Sequence, residues 1–355
     1  MHDPNSSQQL AAWLTSLRPG ESQTLDALTV APLYADSAPP PFSYLALSDA
    51  HASGLVGVTE KPQASVPTLL VINRAPLPIL ILDGEEVVGG LQNRVVNTTL
   101  LVPAASTLEL DVSCVEHGRW HPSATDAFSP GEAVYPTLRR QKAEHVTASL
   151  SASGVPRADQ AAVWNEISTR HARHATPSST QAVHDAYVER AEALRRAEES
   201  LRYPADGPVG VVGVVAGQPV CADIFDRPST LATYWPRLVR SYTLEAEDVA
   251  STGSTTGAFN AASLTRFLAS AAAASVCTFA SRGLGDDLRL ANSRLVGAAL
   301  VHEGSAVHTA IFHTDRRAGN PVSRPSARAR RRPRVQAPKP QAESPSQTPH
   351  RHEQA

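Results

Sequence analysis

Residues 92–118 read QNRVVNTTLLVPAASTLELDVSCVEHG, and this stretch decides the fold class. The segment 92–102 is rich in β-branched residues, which favour strands. Residues 108–116 alternate between apolar and polar side chains, as a half-buried strand does, and the alternation ends at Gly118. Two short apolar runs upstream are separated by prolines and followed by Asp83-Gly84, which is typical of a turn. Strands at this spacing predict an antiparallel sandwich or barrel.

Helical patterns dominate the second half of the chain. Hydrophobic periodicity and small-residue content predict helices over residues 8–17, 158–174, 179–201, 229–244 and 261–274, a hairpin over 209–225, and two closing strands over 288–301 and 306–313. We therefore expect an α+β fold with a β-rich, sandwich-like antiparallel first part and a mixed helix/strand second part. The expected divisions are an N-terminal helix and entry (1–24), the β-rich part with the candidate site (25–120), a long loop (121–157), a helical and α+β part packed on the first as one body (158–315), and a disordered basic Pro/Arg-rich tail (316–355).

The net charge of −2 is the sum of two regions of opposite charge. Residues 316–355 carry ten basic and two acidic residues, a net charge of +8. Residues 1–315 carry 22 basic and 32 acidic residues, a net charge of −10. An acidic body is a poor general binder of nucleic acid, whereas the tail has the charge for nucleic acid or for solubility alone.

Cysteine use and hydropathy indicate a cytoplasmic protein. The three cysteines are far apart and form no CxxC motif, so no disulfide framework is implied. No apolar run is long enough to span a bilayer, and the N-terminus lacks the pattern of a secretory signal. Neither a P-loop nor a dinucleotide fingerprint is present, so the sequence leaves both a cofactor and the oligomeric state unknown.

Charged residues gather at the ends of the predicted strands. In the strand that ends at Glu116, this carboxylate shares a face with Cys114 and the apolar residues before it. A buried carboxylate needs a cation or several hydrogen-bond donors, because a bare charge is costly in a low dielectric. Arg94 and Arg119 are the available partners for Glu116 and Glu85. The sequence therefore predicts a small cluster of carboxylates, guanidiniums and amides.

One interpretation of this cluster is a site for an anionic small molecule. Arginine supplies forked donors for phosphate, the amides orient the ligand, and an aromatic ring stacks on it. The candidate ligand-binding residues are Gln92, Asn93, Arg94, Arg119 and Trp120. Glu116 is the first candidate for a general acid or base and Glu85 the second, if a reaction occurs at all. The alternative is a non-catalytic interaction or scaffold module in which the cluster is a structural salt-bridge network.

Other chemistry-bearing residues give weaker signals. Cys114 ends an apolar face, and a cysteine in such a place is more often core than nucleophile. His117 has the opposite strand parity to Glu116, so we assign no metal site there. Asp223 follows a predicted strand and would add a carboxylate to a site, whereas Asp226 fits a helix cap.

These motifs resemble the ARG and rhodanese-phosphatase-superfamily-associated protein domain, a prokaryotic family. The resemblance covers roughly residues 25–313. The matching pieces are Thr59-Glu60, Ser65-Val66-Pro67, Asn73, Gly84-Glu85, Gly90, Gln92-Asn93-Arg94, Asn97, Val102-Pro103, Cys114-Val115-Glu116, Gly118-Arg119-Trp120, Gln160, Val163-Trp164, Asp223, Phe225, Trp235, Ser241-Tyr242 and Gly283-Leu284-Gly285. The family's name refers to gene neighbours, among them ADP-ribosylglycohydrolase-like and phosphatase-like proteins. The resemblance implies a nucleotide, ADP-ribose or NAD-related setting and hence a phosphorylated nucleotide-like ligand.

Overall fold

Eight helices and eighteen strands are formed by the described residues, which are 5–36, 40–63, 65–119, 127–251 and 259–314 of a computed structural model. The helices are α1 Ser6–Ser16, α2 Leu47–Ala52, α3 Pro136–Ser153, α4 Gln160–His174, α5 Val183–Glu189, α6 Ala191–Ser200, α7 Pro228–Ser251 and α8 Ala261–Ala272. The strands are β1 Arg18–Pro19, β2 Gln23–Leu25, β3 Leu28–Tyr34, β4 Leu45–Ala46, β5 Val56–Thr59, β6 Thr68–Asn73, β7 Ile79–Ile81, β8 Glu85–Gly89, β9 Arg94–Val96, β10 Leu100–Val102, β11 Ser106–Cys114, β12 Ala127–Ala133, β13 Gly210–Val215, β14 Gln218–Phe225, β15 Ser275–Ala280, β16 Asp286–Ala291, β17 Leu295–His302 and β18 Ser305–His313. This composition confirms the α+β prediction.

A closed barrel forms the β-rich first part, with strand order β11-β6-β5-β12-β8-β9. Every neighbouring pair in it is antiparallel. Alternate residues of these strands point inward, so that Val58, Val71, Leu110 and Phe128 fill the interior. Closure is one of the two architectures that the strand spacing predicts. A small sheet, β10-β7-β4, lies beside it, and its β4–β7 pair is parallel.

A nine-stranded sheet forms the second part, in the order β1-β3-β13-β14-β18-β17-β16-β15 with β2 paired to β3. Its two faces carry separate apolar cores, as strand alternation requires. One face packs against α7, where Val211 and Phe312 share an apolar core with Tyr242. The other face packs against α1 and α8. A fourth core, around Tyr135 and Ile167, joins α3, α4 and α5 to the barrel.

The region 121–157 differs from its sequence-based prediction as a long loop. Within its described part, residues 127–133 form β12 and residues 136–153 form α3. Strand β12 pairs with both β5 and β8, so closure of the barrel supplies order that its Ser/Pro-rich sequence does not. Helix α3 was missed because the charged side chains of Arg139 and Lys142 lie on its buried face and hide the apolar period.

Three other predicted elements are each split into two shorter elements in the structure. Residues 179–201 form two helices, α5 and α6, which meet at Arg190. The predicted strand at 92–102 is split into β9 and β10, and that at 288–301 into β16 and β17. The predicted hairpin at 209–225 is confirmed as β13 and β14.

The chain divides into two units, residues 1–315 and 316–355. The barrel and the nine-stranded sheet both belong to the first unit. The basic tail of the second unit, which we expected to be disordered, lies outside the described residues. Among the helices of the described part, none combines the length and apolar content needed to cross a bilayer.

Candidate functional site

The start of β9 and the end of β11 lie at the same end of the barrel, because the two strands are antiparallel and Arg94 pairs with Cys114. Gln92 and Asn93 precede β9, and Glu116 follows β11. All these side chains are largely buried. The structure thus brings together five of the predicted residues with Glu60, from the end of β5. We call the set Glu60, Gln92, Asn93, Arg94, Glu116 and Arg119 the barrel-end cluster.

The ion pair between Glu116 and Arg119 is closely hydrogen-bonded. Arg119 Nε donates to both carboxylate oxygens at 2.9 Å, and Nη2 lies 2.7 Å from Oε2. The backbone N–H of Asn93 donates to Oε2 at 3.0 Å. Burial alone would raise the pKa of Glu116, but these hydrogen bonds outweigh it and hold the pKa below its usual value. Glu116 is therefore a carboxylate at neutral pH, and cannot begin a reaction as a proton donor.

Arg119 also holds the turn that connects β8 to β9. Its Nη1 donates to the carbonyl of Gly90 at 2.7 Å, and its Nη2 donates to the carbonyl of Gly89 at 3.2 Å and to Asn93 Oδ1 at 3.1 Å. A Cβ at Gly90 would lie 2.3 Å from the ring of Phe128, so this turn requires glycine. The guanidinium thus fixes the turn through protein acceptors.

Arg94 is buried with fewer partners. Its side chain is 1% exposed, its Nη1 donates to the carbonyl of Gln92 at 2.7 Å, and its Nη2 lies 3.7 Å from Glu60 Oε1. Among the described residues, Arg94 Nε and Gln92 Nε2 have no hydrogen-bond partner, although both atoms are buried. Leaving a buried donor unpaired costs about 1–3 kcal/mol. The barrel end therefore contains two donors that are suited to a polar ligand.

Glu85 makes its contacts at a different place from the one that the sequence suggested. Its Oε1 accepts from Arg237 Nη1 of α7 at 2.8 Å, and its Oε2 accepts from the Leu82 N–H at 3.1 Å and from the Tyr234 hydroxyl at 3.5 Å. Burial raises the pKa of Glu85, although Arg237 opposes the shift. Arg94 and Arg119 were the expected partners, but the structure pairs Glu85 with Arg237, 152 residues later in the chain. Trp120, the predicted stacking residue, lies outside the described residues.

A second buried cluster connects the barrel to the nine-stranded sheet, and sequence reasoning missed most of it. Arg139 of α3 donates through both terminal nitrogens to Asp223 of β14, at 2.9 and 2.6 Å. His308 Nε2 and the Tyr242 hydroxyl also contact this carboxylate. Burial alone would raise the pKa of Asp223, but Arg139 and His308 hold it far below its usual value. We call Asp83, Arg139, Lys142, Asp223 and His308 the interior cluster.

Lys142 completes the interior cluster. Its ammonium group contacts the Asp83 carboxylate and donates to the Asn97 carbonyl at 3.2 Å. The side chain is fully buried, and burial lowers its pKa against the opposing effect of Asp83. A Cβ at Gly84 would lie 2.6 Å from Arg139 Nε, so glycine allows α3 to approach this turn. The available signal was Lys142 itself, one of three lysines in the chain, four residues after Leu138 in a helical register.

The remaining candidates have structural surroundings. Burial raises the pKa of the Cys114 thiol, which disfavours the reactive thiolate. The Gln160 side chain accepts a hydrogen bond from the Cys114 N–H at 2.8 Å and donates one to the Cys114 carbonyl at 2.7 Å. The ring of His117 packs on Trp164, with 4.3 Å between centroids. Within the described part of the chain, His, Cys, Asp and Glu form no group of three or more suited to a metal ion.

Residues 16–312 match the model of one protein family, the ARG and Rhodanese-Phosphatase-superfamily-associated Protein domain (ARPP-1). The chain belongs to this family. The match includes both buried clusters and confirms the resemblance predicted from the motifs. The ARPP-1 name associates the domain with ARG and with the rhodanese-phosphatase superfamily. No curated protein and no solved structure matches the chain.

Proposed function

We propose that this ARPP-1 protein binds a small phosphorylated, nucleotide-like molecule at the barrel-end cluster. One observation carries the proposal: within the described part of the chain, the buried guanidinium of Arg94 and the buried amide of Gln92 each have one N–H donor without a partner. A guanidinium is the side chain best matched to phosphate oxygens, and the mouth of a β-barrel is a common place for a ligand. An ADP-ribose or NAD-related ligand agrees with the family's name and with the resemblance.

The geometry divides the predicted residues by role. Arg94 and Gln92 would contact the ligand, because Arg94 Nε and Gln92 Nε2 have no hydrogen-bond partner among the described residues. Asn93 and Arg119 would position the turn, because their polar atoms bond each other and the backbone of Gly89. If the bound molecule reacts, Glu116 is the candidate base, because its lowered pKa keeps it ionised. A cytoplasmic location belongs to the proposal, because the three cysteines are free thiols.

A second candidate function is a non-catalytic interaction module in which this cluster only stabilises the barrel. The observation in its favour is the Glu116–Arg119 pair, whose hydrogen bonds run to each other and to the backbone of the same turn. Such a network stabilises a fold without any ligand.

The substitution Gln92→Met separates the two candidates. Methionine keeps the length and removes an amide whose Nε2 has no partner among the described residues and whose Oε1 accepts from Arg94 Nη1 at 3.4 Å. Because this Nη1 keeps the Gln92 carbonyl as an acceptor at 2.7 Å, a ligand contact predicts a nearly unchanged melting temperature and loss of ligand binding. Thermal shift would be measured with ADP-ribose, NAD and mononucleotides. Gln160→Met is the matched control, because its amide makes two backbone hydrogen bonds and its loss should lower the melting temperature. A ligand shift that survives Gln92→Met would refute the proposed contact.

A further inference from the structure

A cationic pocket lies at one end of the nine-stranded sheet, far along the chain from the barrel-end cluster. The cavity of about 220 Å³ lies between α8, the first residues of β14 and β17, and the last residue of β18. Arg266, Arg294 and His313 line it. Of the described residues around this cavity none is acidic. Residues 1–315 have a net charge of −10, so a local excess of cations here is contrary to the rest of the body.

Both arginines of the pocket have free guanidiniums. Arg266 and Arg294 are exposed, and no described carboxylate forms an ion pair with either of them. Both arginines line the same cavity without a counter-ion among the described residues, and two such guanidiniums favour a doubly charged anion. The hydroxyl of Ser270, whose oxygen accepts from Asn292 Nδ2 at 3.1 Å, keeps its own hydrogen available as a donor.

The base of the pocket is apolar. Phe267 and Leu295 line it and are almost fully buried, at 6% and 1% exposure. A cationic rim above an apolar base suits a molecule with an anionic head and an apolar body. The volume is below the roughly 300 Å³ at which pockets for drug-sized ligands begin, so the cavity is matched to a small molecule.

We infer that this pocket binds a small organic phosphomonoester. The phosphate lies between Arg266 and Arg294, with His313 and Ser270 beside it, and the organic group contacts Phe267 and Leu295. This site is separate from the barrel-end cluster and does not depend on the proposed function, since the two share no residue.

Isothermal titration calorimetry of the full chain with phenyl phosphate and with inorganic phosphate, at low salt, tests the inference. Phenyl phosphate should bind at least about fivefold more tightly, because its ring is buried against the apolar base. The double variant Arg266→Ala/Arg294→Ala should weaken phenyl phosphate binding by about tenfold or more, through loss of charge-assisted hydrogen bonds. Both arginines are exposed, so its melting temperature should equal that of the parent chain.

Arg74→Ala is the matched control, because Arg74 is an exposed arginine outside the pocket. The affinity of this variant for phenyl phosphate should stay within twofold of that of the parent chain. The basic tail is present in every variant, so its own attraction for phosphate cancels in the comparison. Equal affinity of the double variant and the parent, or equal affinity for the two anions, overturns the inference. Binding lost in Gln92→Met and retained in the double variant would place the ligand at the barrel end instead.

Discussion

At the scale of single residues, Glu116 shows how a site residue can also be a stabilising one. Glu116→Gln leaves Arg119 without its anionic partner while keeping the shape of the side chain. Charge-assisted hydrogen bonds contribute about 1.5–3 kcal/mol each, and Arg119 is 21% exposed, so we expect the free energy of unfolding at pH 7 to fall by about 1–3 kcal/mol. Urea denaturation of parent and variant measures the difference.

The pH dependence of that difference identifies its cause. Because the folded-state pKa of Glu116 is depressed, the pair stabilises the fold above the unfolded-state pKa of about 4.3. The stabilisation is lost as pH falls through the folded pKa. The difference between parent and Glu116→Gln should therefore shrink below pH 4 and stay constant between pH 6 and 8. A difference independent of pH down to 3 would mean that packing, and not charge, is lost.

At the scale of elements, the interior cluster fixes α3 between the barrel and the nine-stranded sheet. Lys142→Met leaves the Asp83 carboxylate buried without its cation, which typically costs about 3–5 kcal/mol. Adding Asp83→Asn to this variant removes the unpaired charge, so the double variant should recover part of that loss. Lys61→Met is the control, because Lys61 pairs with Glu109 at the surface and its loss should cost no more than about 1 kcal/mol. Denaturant unfolding of the four chains measures these values, and equal losses in Lys142→Met and Lys61→Met would contradict the argument.

Helix α3 also shows which features of the fold cannot be predicted from the sequence. The strand β11 was predicted, because alternation is a local signal that its own residues carry. Arg119 was predicted as one of two possible partners for Glu116, because a buried carboxylate needs a cation, and the structure pairs the two residues. Helix α3 was not, because its buried arginine and lysine have partners from other elements. The pairing of Glu85 with Arg237 depends on the packing of α7 against the barrel, which no local pattern encodes.

At the scale of the whole molecule, the opposite charges of the two units predict separable behaviour. Residues 1–315 have a net charge of −10 and contain both buried clusters, whereas residues 316–355 have a net charge of +8. An acidic body repels nucleic acid, so any affinity for it must come from the tail, and it must fall steeply with salt. We expect the full chain to bind a single-stranded oligonucleotide at low salt and a chain of residues 1–315 to show no binding in fluorescence anisotropy. The shorter chain should melt within about 2 °C of the full chain, because residues 1–315 form a compact unit by themselves. A larger drop in melting temperature would show that the tail stabilises the body, and retained binding would assign nucleic-acid affinity to an acidic surface.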